Sequence, residues 1–338
     1  MKNMVIFESR KEIRNEPKNL KPIDSSLFEH EYVLDLKPVL LVALKDISII
    51  KNFIFSVKAF KVHLSLTHVF KVKSKLILKR AMLLLTPARR LDQGIWITDE
   101  LSSEYFHWFT DALPRLKVIQ SASKNNKILS DNLKANVILP LSYKQKEYVD
   151  SSLKLLGYEV FYYNPKKRLK VKNLISSTHT APTGNYNSDI IRELRASFIS
   201  NETLPQPSKK IYISRSKANQ RKVVNEEEVI ALLSSYNYEI HNFEDYSFKQ
   251  QLDIMYNVKT LISMHGAGLT NMLFMPPNGN IIELRNEGDS HNNCYFSLTT
   301  SLNHDYFYLT NKGDTEDTYR VNITVDVSRL KEVLDLLV

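Results

Sequence analysis

The residues best suited to chemistry are Ser263-Met264-His265-Gly266-Ala267-Gly268-Leu269-Thr270-Asn271. They follow an apolar run, Lys259–Ile262, that predicts a short buried strand. Two glycines between a strand and a helix let backbone come close to a phosphate. The helix N-terminus then offers unpaired N–H groups and a partial positive charge. A Pro-Pro-Asn-Gly break and a second strand, Asn280–Leu284, come next. Glu283, read as the end of that strand, is placed to accept hydrogen bonds from ribose hydroxyls. Taken alone, a Gly-x-Gly is as readily a tight turn, so the reading depends on its surroundings.

Three other groups supply those surroundings. Lys210–Ser214 predicts a strand, and the loop after it carries Arg215, Lys217, Arg221 and Lys222. Loops at the C-terminal edge of parallel strands hold ligands, and guanidinium groups can grip a pyrophosphate. The bland alternative is a solvated basic loop. Glu244 follows a short strand near the proposed site, while Ser247 and Gln250 form a capping-box pattern at a helix start. In Tyr105–Arg115, His107 and Asp111 stand four apart and share a helix face. A carboxylate can fix an imidazole tautomer, or be the base itself; an ordinary surface pair is the alternative. Pro114 is expected to kink or end this helix. His63, His68, His179, His291 and His304 show no metal-ligand spacing, His-x-Glu or His-Glu-x-x-His pattern, so they read as ordinary residues and no metal site is expected.

The elements that must position these groups come in two styles. From about Tyr32 to Trp96, β-formers dominate with little helical periodicity, predicting short strands at Val39–Val42, Ile50–Phe55 and His63–Leu66. Ala81–Leu85 also reads as a short buried strand. From Glu104 onward helices and strands alternate: helices at Tyr105–Ser121 and Lys144–Leu156, strands at Ala135–Leu139, Glu159–Tyr163 and Leu169–Ser176. After a turn-rich joint at Ala181–Asn185 a second series follows. It has helices at Ser188–Ser200, Asn225–Tyr236 (Asn225 and Glu228 reading as a capping box) and Ser247–Asn257, with strands at Lys210–Ser214 and Tyr238–His241. Ser328–Leu337 predicts a final amphipathic helix. Such alternation argues for α/β architecture: two Rossmann-like lobes with parallel sheets facing a cleft, and a β-rich N-terminal portion. The expected divisions are 1–180, 181–325 and a helix at 326–338.

Bulk properties set limits. The chain has 338 residues, 43% hydrophobic and 25% charged, as in a soluble globular protein. A net charge of +9 suits an anionic substrate, a nucleic acid or an anionic membrane surface without choosing among them. The single cysteine, Cys294, allows no intrachain disulfide and no cysteine-based zinc site, which fits a reducing compartment. The polar N-terminus lacks the apolar core of a signal peptide, and no apolar run reaches the ~18 residues a spanning helix needs. A nucleic-acid role ranks lowest, because no binding module appears and aromatics are not interleaved with the basic run.

In order along the chain stand Arg215 and Arg221, Asn225-Glu226-Glu227, Glu244, Ser247–Gln250, His265–Asn271 and Ile282-Glu283-Leu284. This set resembles glycosyltransferase family 61, which includes eukaryotic O-linked N-acetylglucosaminyltransferases, plant xylosyl- and arabinosyltransferases and bacterial polysaccharide enzymes. The helix Tyr105–Arg115 resembles that family's His-bearing helix, although Glu104 stands where Asn is expected. The likeness covers roughly residues 104–284. It implies an inverting, metal-independent transfer on a GT-B-like fold, without cofactor, and accounts for the missing Asp-x-Asp. It places a nucleotide sugar, UDP-linked by expectation, in the C-terminal lobe, against Arg215, Arg221, Lys222, Glu244, His265, Gly266, Ala267, Gly268, Leu269, Asn271 and Glu283. Asp111 is the first choice of base and His107 the second. The expected acceptor is a glycan or lipid-linked glycan hydroxyl in capsule, lipopolysaccharide or related polysaccharide synthesis. The expected location is cytoplasmic, with the basic balance admitting peripheral contact with the inner membrane face. The alternative from another class is a non-catalytic nucleotide- or polysaccharide-binding protein on the same fold.

Overall fold

A computed structural model describes residues 2–124, 135–199 and 206–337. The chain forms two compact units, Met1–Arg10 with Asp35–Thr183, and Lys11–Leu34 with Gly184–Val338. The division along the chain thus falls at 183/184, and residues 11–34 join the second unit. The reason is pairing that no local pattern announces. Arg14 donates from Nη1 to Glu31 Oε2 at 2.8 Å and from Nη2 to Asn185 Oδ1 at 2.7 Å, and Phe28 packs among Phe296, Tyr306 and Tyr308. The final helix, Val327–Asp335, is no separate element either. Leu330, Val333 and Leu334 enter the second unit's core.

In the first unit the strands are β1 (Lys2–Phe7), β2 (Val39–Ile50), β3 (Phe53–Ser56), β4 (Lys61–Val62), β5 (Ala88–Trp96), β6 (Val137–Pro140), β7 (Val160–Tyr163) and β8 (Arg168–Ser177). Among the described residues they form one sheet in the order β4-β3-β2-β8-β5-β6-β7, with β1 also on β2. β8 runs antiparallel to β2 but parallel to β5, so the β-rich start and the α/β part share a single mixed sheet. Three sequence expectations fail here. Ile50–Phe55 is not one strand: Ile50 ends β2, the chain turns at Lys51-Asn52, and Phe53 starts β3, paired antiparallel with β2. His63–Leu66 holds a 3₁₀ turn, Leu64–Leu66, rather than a strand. Ala81–Leu85 ends the helix Ser74–Ala81 and continues as a 3₁₀ turn, Met82–Leu85, with Leu85 92% exposed. Only one side of that segment, including Ile77, Ala81 and Leu84, packs on the cluster of Ile50, Phe53 and Phe55. A strand there would have needed a paired edge.

The segment Tyr105–Lys124 is helical throughout, and Pro114 neither ends nor breaks it. Residues 108–112 form a wider π turn, in which the Leu113 N–H donates to Trp108 O. That turn accommodates a proline ring that would otherwise clash with the carbonyl four residues back. Trp108 is fully buried and donates from Nε1 to Ser152 Oγ at 2.9 Å, fixing the turn's rotation.

The second unit has strands β9 (Lys209–Ile213), β10 (Tyr238–His241), β11 (Val258–Met264), β12 (Asn280–Asn286), β13 (Asp305–Gly313) and β14 (Ile323–Thr324), in the order β10-β9-β11-β12-β13-β14 among the described residues. All neighbours are parallel except the last pair. β11 and β12 are buried almost end to end because helices cover both faces. Ile262, Met264, Ile282 and Leu284 face the helices Glu226–Ser235 and Val327–Asp335. Each such full burial contributes about 1.5–3 kcal/mol. Period-2 alternation sends Glu283 and Arg285 to the other face. The capping box at Ser247 and Gln250 is present. That at Asn225 is not, since its side chain bonds Val325 through both Nδ2 and Oδ1.

Candidate active site

In the second unit, β11 ends at Met264 and the chain turns through His265 and Gly266 into a short 3₁₀ helix, Ala267–Phe274. Helix-opening N–H groups lack intrahelical partners. The loop after β9 brings Arg215 over this turn. A Cβ built on Gly266 would lie 2.4 Å from Arg215 Nη1, so glycine leaves the room the guanidinium occupies. Arg215 is itself held by carbonyls, donating from Nε to Arg221 O at 2.9 Å and from Nη2 to Gln220 O at 3.2 Å. Its Nη1 has no acceptor among the described residues. Arg221 sits at a left-handed φ of 60°, and its Nε is buried with no acceptor among the described residues. Burial and the neighbouring Arg221 charge push the Arg215 pKa down. Two guanidinium groups thus crowd one helix start, an arrangement an anion would relieve.

Behind the turn lies a buried polar chain. His265 Nδ1 donates to Glu283 Oε1, and its Nε2 lies 3.0 Å from Asn292 Nδ2. Tyr306 OH donates to Glu283 Oε2 at 2.5 Å, and Arg285 Nη1 lies 3.8 Å from the same oxygen. Burial raises the Glu283 pKa, but the Arg285 and His265 charges and the two donors outweigh it and hold the carboxyl below its usual value. Tyr295 rests edge-on against His265, ring centroids 4.9 Å apart.

The expected donor residues therefore divide. Arg215, Arg221, Gly266 and the accessible Ala267 and Gly268 come together at the turn. Glu244 is exposed on the 3₁₀ turn Phe243–Asp245, where its charge acts on Arg215. Lys222 is exposed, with its backbone N–H bonded to Asn322. Three residues, Leu269, Asn271 and Glu283, are placed otherwise than expected from the sequence. Leu269 is 0% exposed and belongs to the core. Asn271 is buried and donates to Gly268 O at 3.0 Å, bracing the helix start. Gly268, at the turn as expected, also packs closely, since a Cβ there would stand 3.0 Å from Ile213 Cγ2. Glu283 lies mid-strand, not at its end, and is 0% exposed with both oxygens taken, so it positions His265 instead of facing a ribose. Arg285, Asn292, Tyr295 and Tyr306 are absent from the sequence reading; of these only Arg285, two residues from Glu283, has a local signal.

In the first unit, His107 Nδ1 donates to Asp111 Oδ2 at 2.7 Å. The π turn keeps the two side chains on one face. Burial raises the Asp111 pKa, partly countered by His107. Its Oδ1 has no hydrogen-bond partner among the described residues. A second pair stands near enough for its charges to act on Asp111. His179 Nε2 donates to Asp99 Oδ2 at 2.9 Å, while Asp99 Oδ1 accepts from Leu101 N, Ser102 N and Ser102 Oγ. Burial alone would raise the Asp99 pKa; the His179 and Ser102 hydrogen bonds and the Arg115 charge hold it well below the carboxylate range. His179 also lines a cavity of about 360 Å³ with His68, Lys37 and Ser65. No local spacing singles out His179, whose partner lies 80 residues away. Arg115, 0% exposed, ties the strand ends together by donating to Ile97 O, Ser177 O and Ser176 Oγ. Among the described residues no cluster of three or more His, Cys, Asp or Glu could hold a metal ion.

The second unit thus carries cations at its glycine turn, and the first a partly buried histidine–carboxylate pair. The sequence profile of the Glycosyltransferase 61 family matches residues 105–282, more than half of the chain, and the chain belongs to that family. The match takes in the His107–Asp111 helix and the glycine turn and stops one residue short of Glu283. The chain is similar to the EGF domain-specific O-linked N-acetylglucosamine transferase of Drosophila melanogaster, 37% identical over 123 residues, 34% of this chain and 23% of that protein. The enzyme of that name from Bos taurus is 30% identical over 158 residues, 45% of this chain and 28% of that protein. The chain thus aligns with about a quarter of the length of these relatives.

Proposed function

We propose that the chain transfers a sugar, with inversion and without a divalent cation, from a nucleoside-diphosphate sugar to a glycan hydroxyl. The observation that carries this is the Arg215 guanidinium over Gly266, at the start of the 3₁₀ helix, beside Arg221 Nε, which has no acceptor among the described residues. The diphosphate occupies that cationic start of the helix. Asp111 takes the proton from the acceptor hydroxyl through its open Oδ1, while His107 orients the carboxylate. The acceptor oxygen bonds to the anomeric carbon as the bond from that carbon to the phosphate oxygen breaks. The electron pair leaves on the diphosphate, where Arg215, Arg221 and the backbone N–H groups stabilise it in place of a metal. A carboxylate raised by burial is a stronger base than one in water, which suits Asp111 to this step. UDP is the proposed nucleotide. The relatives' names speak of N-acetylglucosamine, which makes UDP-N-acetylglucosamine the first donor to try. The reading extends to a polysaccharide acceptor, in capsule or lipopolysaccharide synthesis, and to a cytoplasmic enzyme in peripheral contact with the membrane face where lipid-linked acceptors sit.

The test is a thermal-shift titration with UDP in EDTA and in manganese, followed by assay of donor hydrolysis and transfer. UDP stabilises the protein equally in both conditions, because binding to the native state raises its melting temperature by mass action. Stabilisation and transfer that require manganese refute the metal-free mechanism. Binding without hydrolysis or transfer of any nucleotide sugar points to a non-catalytic binder.

A further inference from the structure

Between Asp46 and Asp92 the chain has ten Lys and Arg residues and no Asp or Glu. The excess in this one stretch is larger than the net charge of the whole chain, +9. In the fold the stretch forms β3, β4, the helix Ser74–Ala81 and the 3₁₀ turn Met82–Leu85, which share one small core of Ile50, Phe53 and Phe55 with Val62, Leu64, Val72 and Ile77. Lys58, Lys61, Lys71, Lys73, Lys75 and Lys79 are exposed on it. The acids that reach it from outside are engaged. Asp46 Oδ2 pairs with Lys58 Nζ at 3.4 Å, and Glu100 accepts from Val69 N and Phe70 N.

This surface is apolar as well as basic. Phe60 is 98% exposed, Leu85 92%, Leu78 68%, Met82 67% and Phe70 64%. Leu78, Met82 and Leu85 recur at the spacing of one helix face, next to the face that packs inward, and Lys75 and Lys79 border it. Phe60 sits at φ 47°, a left-handed conformation uncommon for a bulky residue, at the tip between β3 and β4. Exposed aliphatic and aromatic side chains in a ring of lysines are costly in water, and they match the acyl boundary and phosphates of an anionic bilayer. A second copy of the surface would meet it with like charge. A nucleic acid would use the lysines and leave the leucines exposed.

We propose that this surface, residues 57–85, docks the protein on an anionic lipid bilayer, with Phe60, Leu78, Met82 and Leu85 entering the interface and the lysines meeting headgroup phosphates. The proposal rests on the membrane-contact reading above and names the surface that makes the contact; it does not depend on the reaction.

The experiment is co-sedimentation of the whole chain with phosphatidylcholine vesicles, with and without phosphatidylglycerol, at low and high salt. The wild type binds the mixed vesicles only, and salt weakens binding. L78Q/M82Q/L85Q lowers the partition coefficient roughly tenfold or more, since both the apolar face and the cations are needed. K58Q/K61Q/K75Q/K79Q does the same. Both variants keep the wild-type melting temperature and UDP shift, because the altered side chains are exposed. Wild-type protein that ignores anionic vesicles overturns the membrane reading and this surface together. Binding untouched by either variant leaves membrane contact standing and overturns this surface. A dimer in solution that dissociates in the leucine variant assigns the face to a second copy and overturns the lipid proposal.

Discussion

Gly266→Ala is the most direct probe of the diphosphate assignment, because the structure gives the size of the disturbance. The added Cβ would lie 2.4 Å from Arg215 Nη1 and 2.9 Å from its Cζ. Uncrowded contacts of this kind sit near 3.5 Å, so the guanidinium must retreat by roughly 1 Å. A hydrogen bond works only over about 2.7–3.2 Å, and a retreat of that size removes it. Hydrogen bonds to charged groups are worth about 1.5–3 kcal/mol, which is a loss of roughly ten- to 150-fold in nucleotide affinity. The backbone adds a separate cost in folding, since φ at Gly266 is 159°, just outside the region L-residues favour; this is about 1–3 kcal/mol and is read by thermal melting. Isothermal titration with UDP measures the binding loss on folded protein. Arg215→Lys leaves the backbone untouched, keeps the charge and loses the guanidinium fork, so it should weaken UDP binding without the folding cost. If both variants bind UDP within about twofold of the wild type, Arg215 does not hold the diphosphate and the reasoning fails. Gly268→Val is the contrasting case. Its Cβ presses on Ile213, so it costs about 1–3 kcal/mol of stability and tests packing.

Asp111→Asn should lower turnover about a hundredfold or more while UDP affinity stays unchanged, and His107→Ala should cost less; full activity in Asp111→Asn would remove it as the base. Because burial raises the Asp111 pKa, the rate should fall with decreasing pH through a midpoint above the ordinary carboxylate range; a midpoint near 4 in the kcat profile would contradict this. His304 is buried with Nδ1 accepting from Gly279 N at 3.0 Å, and burial with the Arg195 charge pushes its pKa down to about 3. The unfolded chain therefore takes up this proton first, so stability present above the unfolded pKa of about 6.5 is lost as pH falls toward 3. About 2–3 kcal/mol should be gone by pH 4.5, and His304→Asn should flatten this part of the denaturant-measured pH dependence; an unchanged slope would count against it.

Much of the architecture is legible in local pattern. The alternation from Glu104 to Leu284 predicts most helices and strands to within a few residues, because caps, glycine stops such as Gly157 at φ 79° and apolar periodicity act over one or two turns; the helix Cys294–Ser301 and β13 carry no such signal. The glycine turn and the His107–Asp111 pair are legible for the same reason, being set by spacings of a few residues. The stretch from residue 57 to 85 is not. Its β-formers are the same residues that build a two-faced helix, and only the presence of Ile50, Phe53 and Phe55 beneath one side decides which. Pro114 reads as a break until the π turn is seen to make room for it.

What the tertiary structure alone decides is which side chains meet across long separations. Asp99 finds His179, Glu283 finds Tyr306, and Arg14 ties residues 11–34 to Asn185. It also decides that Glu283 is buried behind His265. A period of two says only which neighbours share its face; the register of β12 against β13, which sets what covers that face, is fixed by sheet pairing and helix packing far away in the chain. The sequence by itself determines the local geometry and the stock of cations and carboxylates. Their burial, partners and charge state follow from the low-dielectric surroundings that only the folded chain assembles.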